Sequence, residues 1–324
     1  MGIIDCHSHA LPNLEQYAGQ LPPVIRDMVQ DKVPAVQEFA QNLLGKIPVS
    51  LPQIPVQPKN LANLRKEGVG TFLKGVEYFS SLGVAPQTLI HGTVHNLLAS
   101  MDRNDIQRSV VIAAPPAASN DWLLQITARH PDRLIPVCHT PKLPAESGPL
   151  AWRKAFETMA QQGAKGFKIH PNVSPYPPDH IAYETLFETA RRHDLFVIIH
   201  TGCFNIPGYS TQRPAEPGLF TPLFERYREV RVCLAHMNRD NPERAWDIMQ
   251  RYDNVYADTS WQTSGSIAAA IAATGNERIV LGSDWPLLND DLQTTNLEAL
   301  RQGTSDADFE QITDTNARRL IGLP

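Results

Sequence analysis

Eight short apolar runs, each followed by a stretch of helical periodicity, constrain the fold of this chain more than any other feature. They are IIDCH at 3–7, SVVIAA at 109–114, RLIPVC at 133–138, AKGFKI at 164–169, LFVIIH at 195–200, VRVCLAH at 230–236, NVYAD at 254–258 and RIVLGS at 278–283. The runs are continuous rather than alternating, the pattern of parallel strands covered on both faces. Helical candidates lie between them at 119–130, 150–162, 180–193, 242–251 and 263–274. Asp179 and Asn241 stand at N-cap positions, the second followed by Pro242 at the first helical position. Strand and helix in alternation give a closed barrel or a doubly wound sheet. The count of eight favours an α/β chain folded as a (β/α)8 TIM barrel, and no G-x-G-x-x-G follows the first run to suggest a dinucleotide site. A length of 324 residues accommodates one such barrel over 1–324.

One connection is abnormal. About 95 residues separate the first run from the second, far beyond a usual βα loop. This insert, taken as 11–85, is expected to be helical at 32–46 and 59–82 around the extended Pro-rich stretch PVSLPQIPVQP at 48–58. A helix at 86–103 then closes the first βα unit. The insert reads either as a lid over the barrel mouth or as a packing element that would make a homodimer.

Composition excludes several classes. A formal charge of −5 argues against a nucleic-acid partner. No apolar run approaches the roughly 18 to 20 residues that span a bilayer, and the N-terminus lacks the basic and apolar regions of a secretory signal. The expected location is therefore the cytoplasm. Cys6, Cys138, Cys203 and Cys233 form no C-x-x-C pair and lie in or just after apolar runs, as reduced core thiols do.

In a barrel the C-terminal ends of the strands converge on one mouth. Polar residues at those ends are Asp5, His7 and His9 on the first strand, Lys168 and His170 on the fourth, and His200 on the fifth. His236, Asp258 and the pair Ser283 and Asp284 follow on the sixth, seventh and eighth. Side chains two apart on an extended segment face the same way, so His7 and His9 can reach one ion. Taken alone, H-x-H is a weak signal; a third histidine and a carboxylate at other strand ends strengthen it. Imidazoles with one carboxylate suit a divalent metal, zinc first, with manganese or iron as alternatives. The bland alternative is a set of hydrogen-bonded histidines lining a polar mouth.

The runs IIDCHSHA, GFKIHPN, HTG after the fifth strand, AHMN after the sixth and LGSDWP after the eighth resemble, in this order, the amidohydrolase superfamily. More narrowly they resemble its amidohydrolase-2 branch, related to aminocarboxymuconate semialdehyde decarboxylase. The resemblance covers Ile3 to about Leu320, the insert excepted. It implies a divalent ion bound by His7, His9, His200 and Asp284, with His236 as the catalytic histidine and Asp284 also as general base. Asp5 is expected to orient its neighbours. Some superfamily members carry a carboxylated lysine on the fourth strand that bridges two metals. Lys168 could serve in that way, with His200 and His236 on a second ion, or could bind a substrate carboxylate. His170, Arg213, Arg239 and Trp285 are the remaining candidates for substrate binding, and Trp261 could share in walling the pocket. His139 could reach the mouth, whereas His91 and His95 share a helix face and read as structural.

These features predict an enzyme acting on a small molecule, a carboxylic acid or its derivative. The first reading is hydrolysis of a small amide, lactone or ester by metal-activated water. The alternative is non-oxidative decarboxylation or hydration of a small unsaturated or aromatic acid. A metal-dependent nuclease of the same superfamily is disfavoured by the acidic charge and the lack of a basic stripe.

Overall fold

The computed structural model describes residues 2–13, 91–115, 117–144, 146–171, 174, 176–202, 215–239, 241–287 and 291–324. The insert from 14 onward, Cys203 and Arg213 lie outside these residues. Among the described residues there are eight strands: β1 Ile3–His9, β2 Ile106–Ile112, β3 Leu134–His139, β4 Gly166–Ile169, β5 Phe196–His200, β6 Val232–Ala235, β7 Val255–Asp258 and β8 Ile279–Val280. All neighbours pair in parallel in the order β1 to β8. Beyond β8 the chain runs beside β1, where Cys6 N–H donates to Leu281 O at 2.8 Å and Asp284 N–H to His7 O at 2.7 Å. The sheet is thus a nearly closed barrel. The last ladder is shorter than the sequence run because 281–284 bonds irregularly to β1 rather than continuing the β7 register.

The helices are α1 Val94–Arg103, α2 Asn120–Thr127, α3 Pro149–Gln161, α4 Ile181–Arg192, α5 Thr221–Arg226, α6 Pro242–Arg251, α7 Ser264–Thr274, α8 Leu292–Gly303, α9 Asp306–Glu310 and α10 Asn316–Ile321. The N-cap of α4 is His180, not Asp179: its Nδ1 accepts from Ala182 N–H at 3.1 Å, one residue later than the sequence suggests. Pro242 does open α6, although Asn241 makes no side-chain cap bond. No helix among the described residues is long and apolar enough to cross a membrane.

Two apolar clusters explain the continuous runs. Ile4, Cys6, Val110, Ile112, Phe196, Ile198, Cys233 and Val280 form one cluster, joined by Ala317, Leu320 and Ile321 of α10. Alternate strand residues such as Phe167, Ile169, Val197, Ile199 and Leu234 pack in the other, with Trp152, Phe156 and Phe187 of the surrounding helices. Both faces of each strand are therefore buried, and hydrophobic burial on this scale dominates the stability of such a domain. Cys6, Cys138 and Cys233 are buried free thiols.

One buried polar side chain ties a connection to the barrel. Asn254 Nδ2 donates toward Val230 O, Tyr227 O and Phe224 O at 3.0, 3.2 and 3.3 Å, just before β7. Asn254→Ala leaves those buried carbonyls without this donor and is expected to cost about 1–3 kcal/mol. A urea titration checks this, and an unchanged midpoint contradicts it.

Candidate metal centre and active site

The chain bends sharply at the barrel mouth. His236, Met237, Asn238, Trp261 and Asp284 all adopt positive φ, between 46 and 63°. Non-glycine residues rarely do so, and clusters of them mark functional sites. On β1 the register shifts between Asp5 and Ser8. Cys6 packs in the inner apolar cluster, yet its neighbour His7 also reaches inward, to Asp258 and Lys168. Adjacent residues of a regular strand face opposite ways, so the bulge is what re-aims His7.

The proton positions on the first two histidines follow from their partners. His9 Nδ1 lies 3.0 Å from Ile112 O, and a carbonyl only accepts, so Nδ1 carries the hydrogen. His7 Nδ1 lies 2.8 Å from Asp258 Oδ2 and donates to that carboxylate. Burial, with the Lys168 charge, holds His7 well below the ordinary histidine range, so it is neutral at pH 7. His7 Nε2 is then a lone pair, and the Nε2 atoms of His7 and His9 both face Asp284 Oδ1, at 3.3 and 3.2 Å. That buried oxygen has no hydrogen-bond partner of acceptable geometry. Three potential ligand atoms within 4.8 Å of one another, two imidazole nitrogens and a carboxylate oxygen, fit a divalent cation.

Asp284 is held on its other side, where Trp261 Nε1–H donates to Oδ2 at 2.6 Å. Burial would raise this carboxyl, but His7, His9 and the indole outweigh it and keep it below the ordinary carboxylate value. Lys168 is almost fully buried, with Nζ 3.5 Å from His7 Nε2. Burial pushes its ammonium down to about 8, against the opposing pull of Asp258 and Asp284.

His200 lies outside that triad. Its Nδ1 is 3.1 Å from His236 Nε2, and its ring stacks on His170 at 3.9 Å with planes 9° apart. His170 Nδ1 is buried without a hydrogen-bond partner. His139 continues the row, its ring 6.4 Å from His170 and its Nδ1 3.1 Å from Thr140 O. Burial lowers His139 to about 4 and holds His170, His200 and His236 well below the usual histidine value. Asp5 accepts from Ser283 Oγ and Gln293 Nε2 at 2.6 and 2.9 Å and from His7 N–H at 3.1 Å. It thereby fixes the backbone of β1 to the 283–284 turn.

The structure therefore brings together His7, His9 and Asp284 and sets His200 against His236. Trp285 is fully buried in the helix-facing core, whereas Trp261 touches Asp284. The Arg239 guanidinium stands 5.1 Å over the Trp261 ring. Asp258, at the end of β7, and Ser260, two residues on, have no role assigned from the sequence, yet both are buried beside the histidines.

The Amidohydrolase family model matches residues 4–323. No curated protein matches the chain. Among solved structures, 2,6-dihydroxybenzoate decarboxylase from Rhizobium is 19% identical with a TM-score of 0.59, covering 82% of this chain and 95% of its own. A probable 2-pyrone-4,6-dicarboxylic acid hydrolase from Acinetobacter baumannii, with citric acid bound, is 13% identical with a TM-score of 0.57 and covers 100% of both chains. A dihydroxybenzoic acid decarboxylase from Polaromonas sp. JS666, with manganese and 2-nitroresorcinol bound, is 17% identical with a TM-score of 0.57, covering 99% of this chain and 97% of its own. At these identities the likeness speaks for the fold, and the family match over nearly the whole length identifies the chain as a member of the amidohydrolase family, in its amidohydrolase-2 branch of metal-dependent enzymes.

Proposed function

We propose that this enzyme hydrolyses a small amide, lactone or ester derived from a carboxylic acid, using one divalent ion, zinc in the first instance. The observation that carries the reading is the convergence of three potential ligand atoms, His7 Nε2, His9 Nε2 and Asp284 Oδ1. With His200, these residues would hold an ion that supplies a Lewis acid and lowers the pKa of water. The remaining roles belong to the chain. Lys168, buried beside the triad, is the proposed partner of a substrate carboxylate, supported by His170, which offers an unpartnered Nδ1 nearby. His236 is the proposed catalytic histidine beside the site, its Nε2 lying 3.1 Å from His200 Nδ1. Asp284 takes the proton of the attacking water. Arg239 and Arg213 are the further substrate-side candidates, whereas Trp285, buried in the helix-facing core, presents no face to a substrate. Relatives named for small carboxylic acids support this substrate class.

A second reading, decarboxylation of a small unsaturated or aromatic acid, is favoured by one contact. Trp261 Nε1–H donates to Asp284 Oδ2 at 2.6 Å, which makes that carboxylate a weaker acceptor for a water proton. The manganese and the inhibitor in the Polaromonas decarboxylase are in keeping with it. The test offers zinc- and manganese-loaded enzyme a panel of lactones, amides and esters beside their parent acids. Acid release without carbon dioxide is expected. Carbon dioxide from a parent acid, with no lactone or amide turnover, overturns the first reading in favour of the second. No turnover of either set overturns both.

A further inference from the structure

We propose that Asp258 is the positioning residue of this centre, its one carboxylate setting the proton orientation of His7 directly and of His236 and His200 through Ser260. Asp258 Oδ2 faces His7 Nδ1 at 2.8 Å. Asp258 Oδ1 accepts from two backbone amides, His236 N–H at 3.1 Å and Ser260 N–H at 3.0 Å, and from Ser260 Oγ by a short bond. A serine hydroxyl has a single hydrogen. Since Ser260 gives that hydrogen to Asp258, its oxygen must accept from His236 Nδ1–H, 2.7 Å away. His236 Nε2 is then a lone pair and accepts from His200 Nδ1–H at 3.1 Å. The lone pair of neutral His200 is left on Nε2. One anion thereby orders four hydrogens, and both His7 and His200 present Nε2 rather than Nδ1 as the ligating atom.

Gly282 belongs to the same arrangement. A Cβ placed there would lie 2.8 Å from Asp258 Cγ and Oδ1, so only glycine lets the carboxylate sit where it does. The hydrogen order is a property of the metal-free chain; its consequence for ion binding rests on the metal-centre reading above.

The test is long-range nitrogen–proton NMR of 15N-histidine-labelled, metal-free protein at pH 7.5, with zinc affinity measured in parallel. Single histidine variants assign the signals. Wild type is expected to show His7, His200 and His236 all as Nδ1–H tautomers. Ser260→Ala is expected to shift His236 and His200 away from that form while leaving His7 unchanged, and Ser260→Thr to restore it. Asp258→Asn is expected to shift all three and to weaken zinc binding by about 10–100-fold, as is Gly282→Ala through displacement of Asp258. Nε2–H tautomers in wild type, or an unaltered His236 and His200 in Ser260→Ala, overturn the proposal even if Asp258→Asn fails to fold. Wild-type tautomers as expected without catalytic turnover would count against the functional reading alone.

Discussion

Asp284→Asn is expected to lower kcat by on the order of 10²–10⁴-fold and to release the bound ion. The substitution keeps the shape of the side chain but removes its charge. His7 and His9 then remain with His200 as the ligands, facing an amide whose NH2 group is repelled by a cation. The Trp261 indole, which donates to Oδ2 at 2.6 Å, favours keeping the amide oxygen on that side and so turns the NH2 toward His7 and His9. The loss should therefore exceed that of a missing proton acceptor alone. Elemental analysis for bound metal and steady-state kinetics check both halves. Bound metal without turnover separates the ligand role from the base role. Near wild-type turnover removes Asp284 from both.

The second large effect concerns acid. Burial holds His7, His170, His200 and His236 well below 6.5 and His139 at about 4 in the folded chain. Above pH 6.5 these groups are neutral in both states and contribute no slope. Below it only the unfolded chain takes up their protons, so stability falls with falling pH. Asp5, raised to about 6, and Asp258, also raised by burial, work in the opposite direction. Between about pH 6 and 4 the folded chain holds a proton on Asp5 that the unfolded chain releases. Lys168, at about 8, is protonated in both states throughout this window and adds no slope. The five histidines outnumber the two carboxylates, so the unfolded chain takes up more protons and the metal-free protein is expected to lose stability as the pH falls from 7.5 to 5. Urea midpoints between pH 7.5 and 5 read the effect directly. A midpoint independent of pH across that range would mean that the histidines are not buried as described.

The barrel was legible in the sequence because burial on both strand faces writes an unbroken apolar run. Strands such as Phe196–His200 and helices such as Pro242–Arg251 follow their runs closely. The eighth strand was overread. RIVLGS is apolar because Leu281 packs in the core, yet only Ile279 and Val280 join the ladder. Hydrophobicity reports burial, not pairing.

The site was legible where chemistry needs a side chain at a strand end, as with His7, His9 and Asp284. It was not legible where a residue acts through a neighbour. Asp258 serves the site by accepting from His7 and Ser260, and nothing in VYAD distinguishes that carboxylate from a solvated one. Trp261 is similar. Its contact with Asp284 depends on a positive φ of 63°, which no local pattern announces. The inward turn of His7 depends on the β1 bulge, and a regular strand would have placed it on the same side as Asp5 only by leaving Cys6 outside the inner cluster.

One divalent ion is proposed to sit among His7, His9 and Asp284. A crystal structure of the zinc-loaded protein, with anomalous scattering recorded at the zinc edge, locates it. One anomalous peak is predicted, about 2.0–2.2 Å from both Nε2 atoms and from an Asp284 oxygen, with Lys168 an unmodified amine. A peak elsewhere, or two peaks bridged by a carboxylated Lys168, would contradict the account.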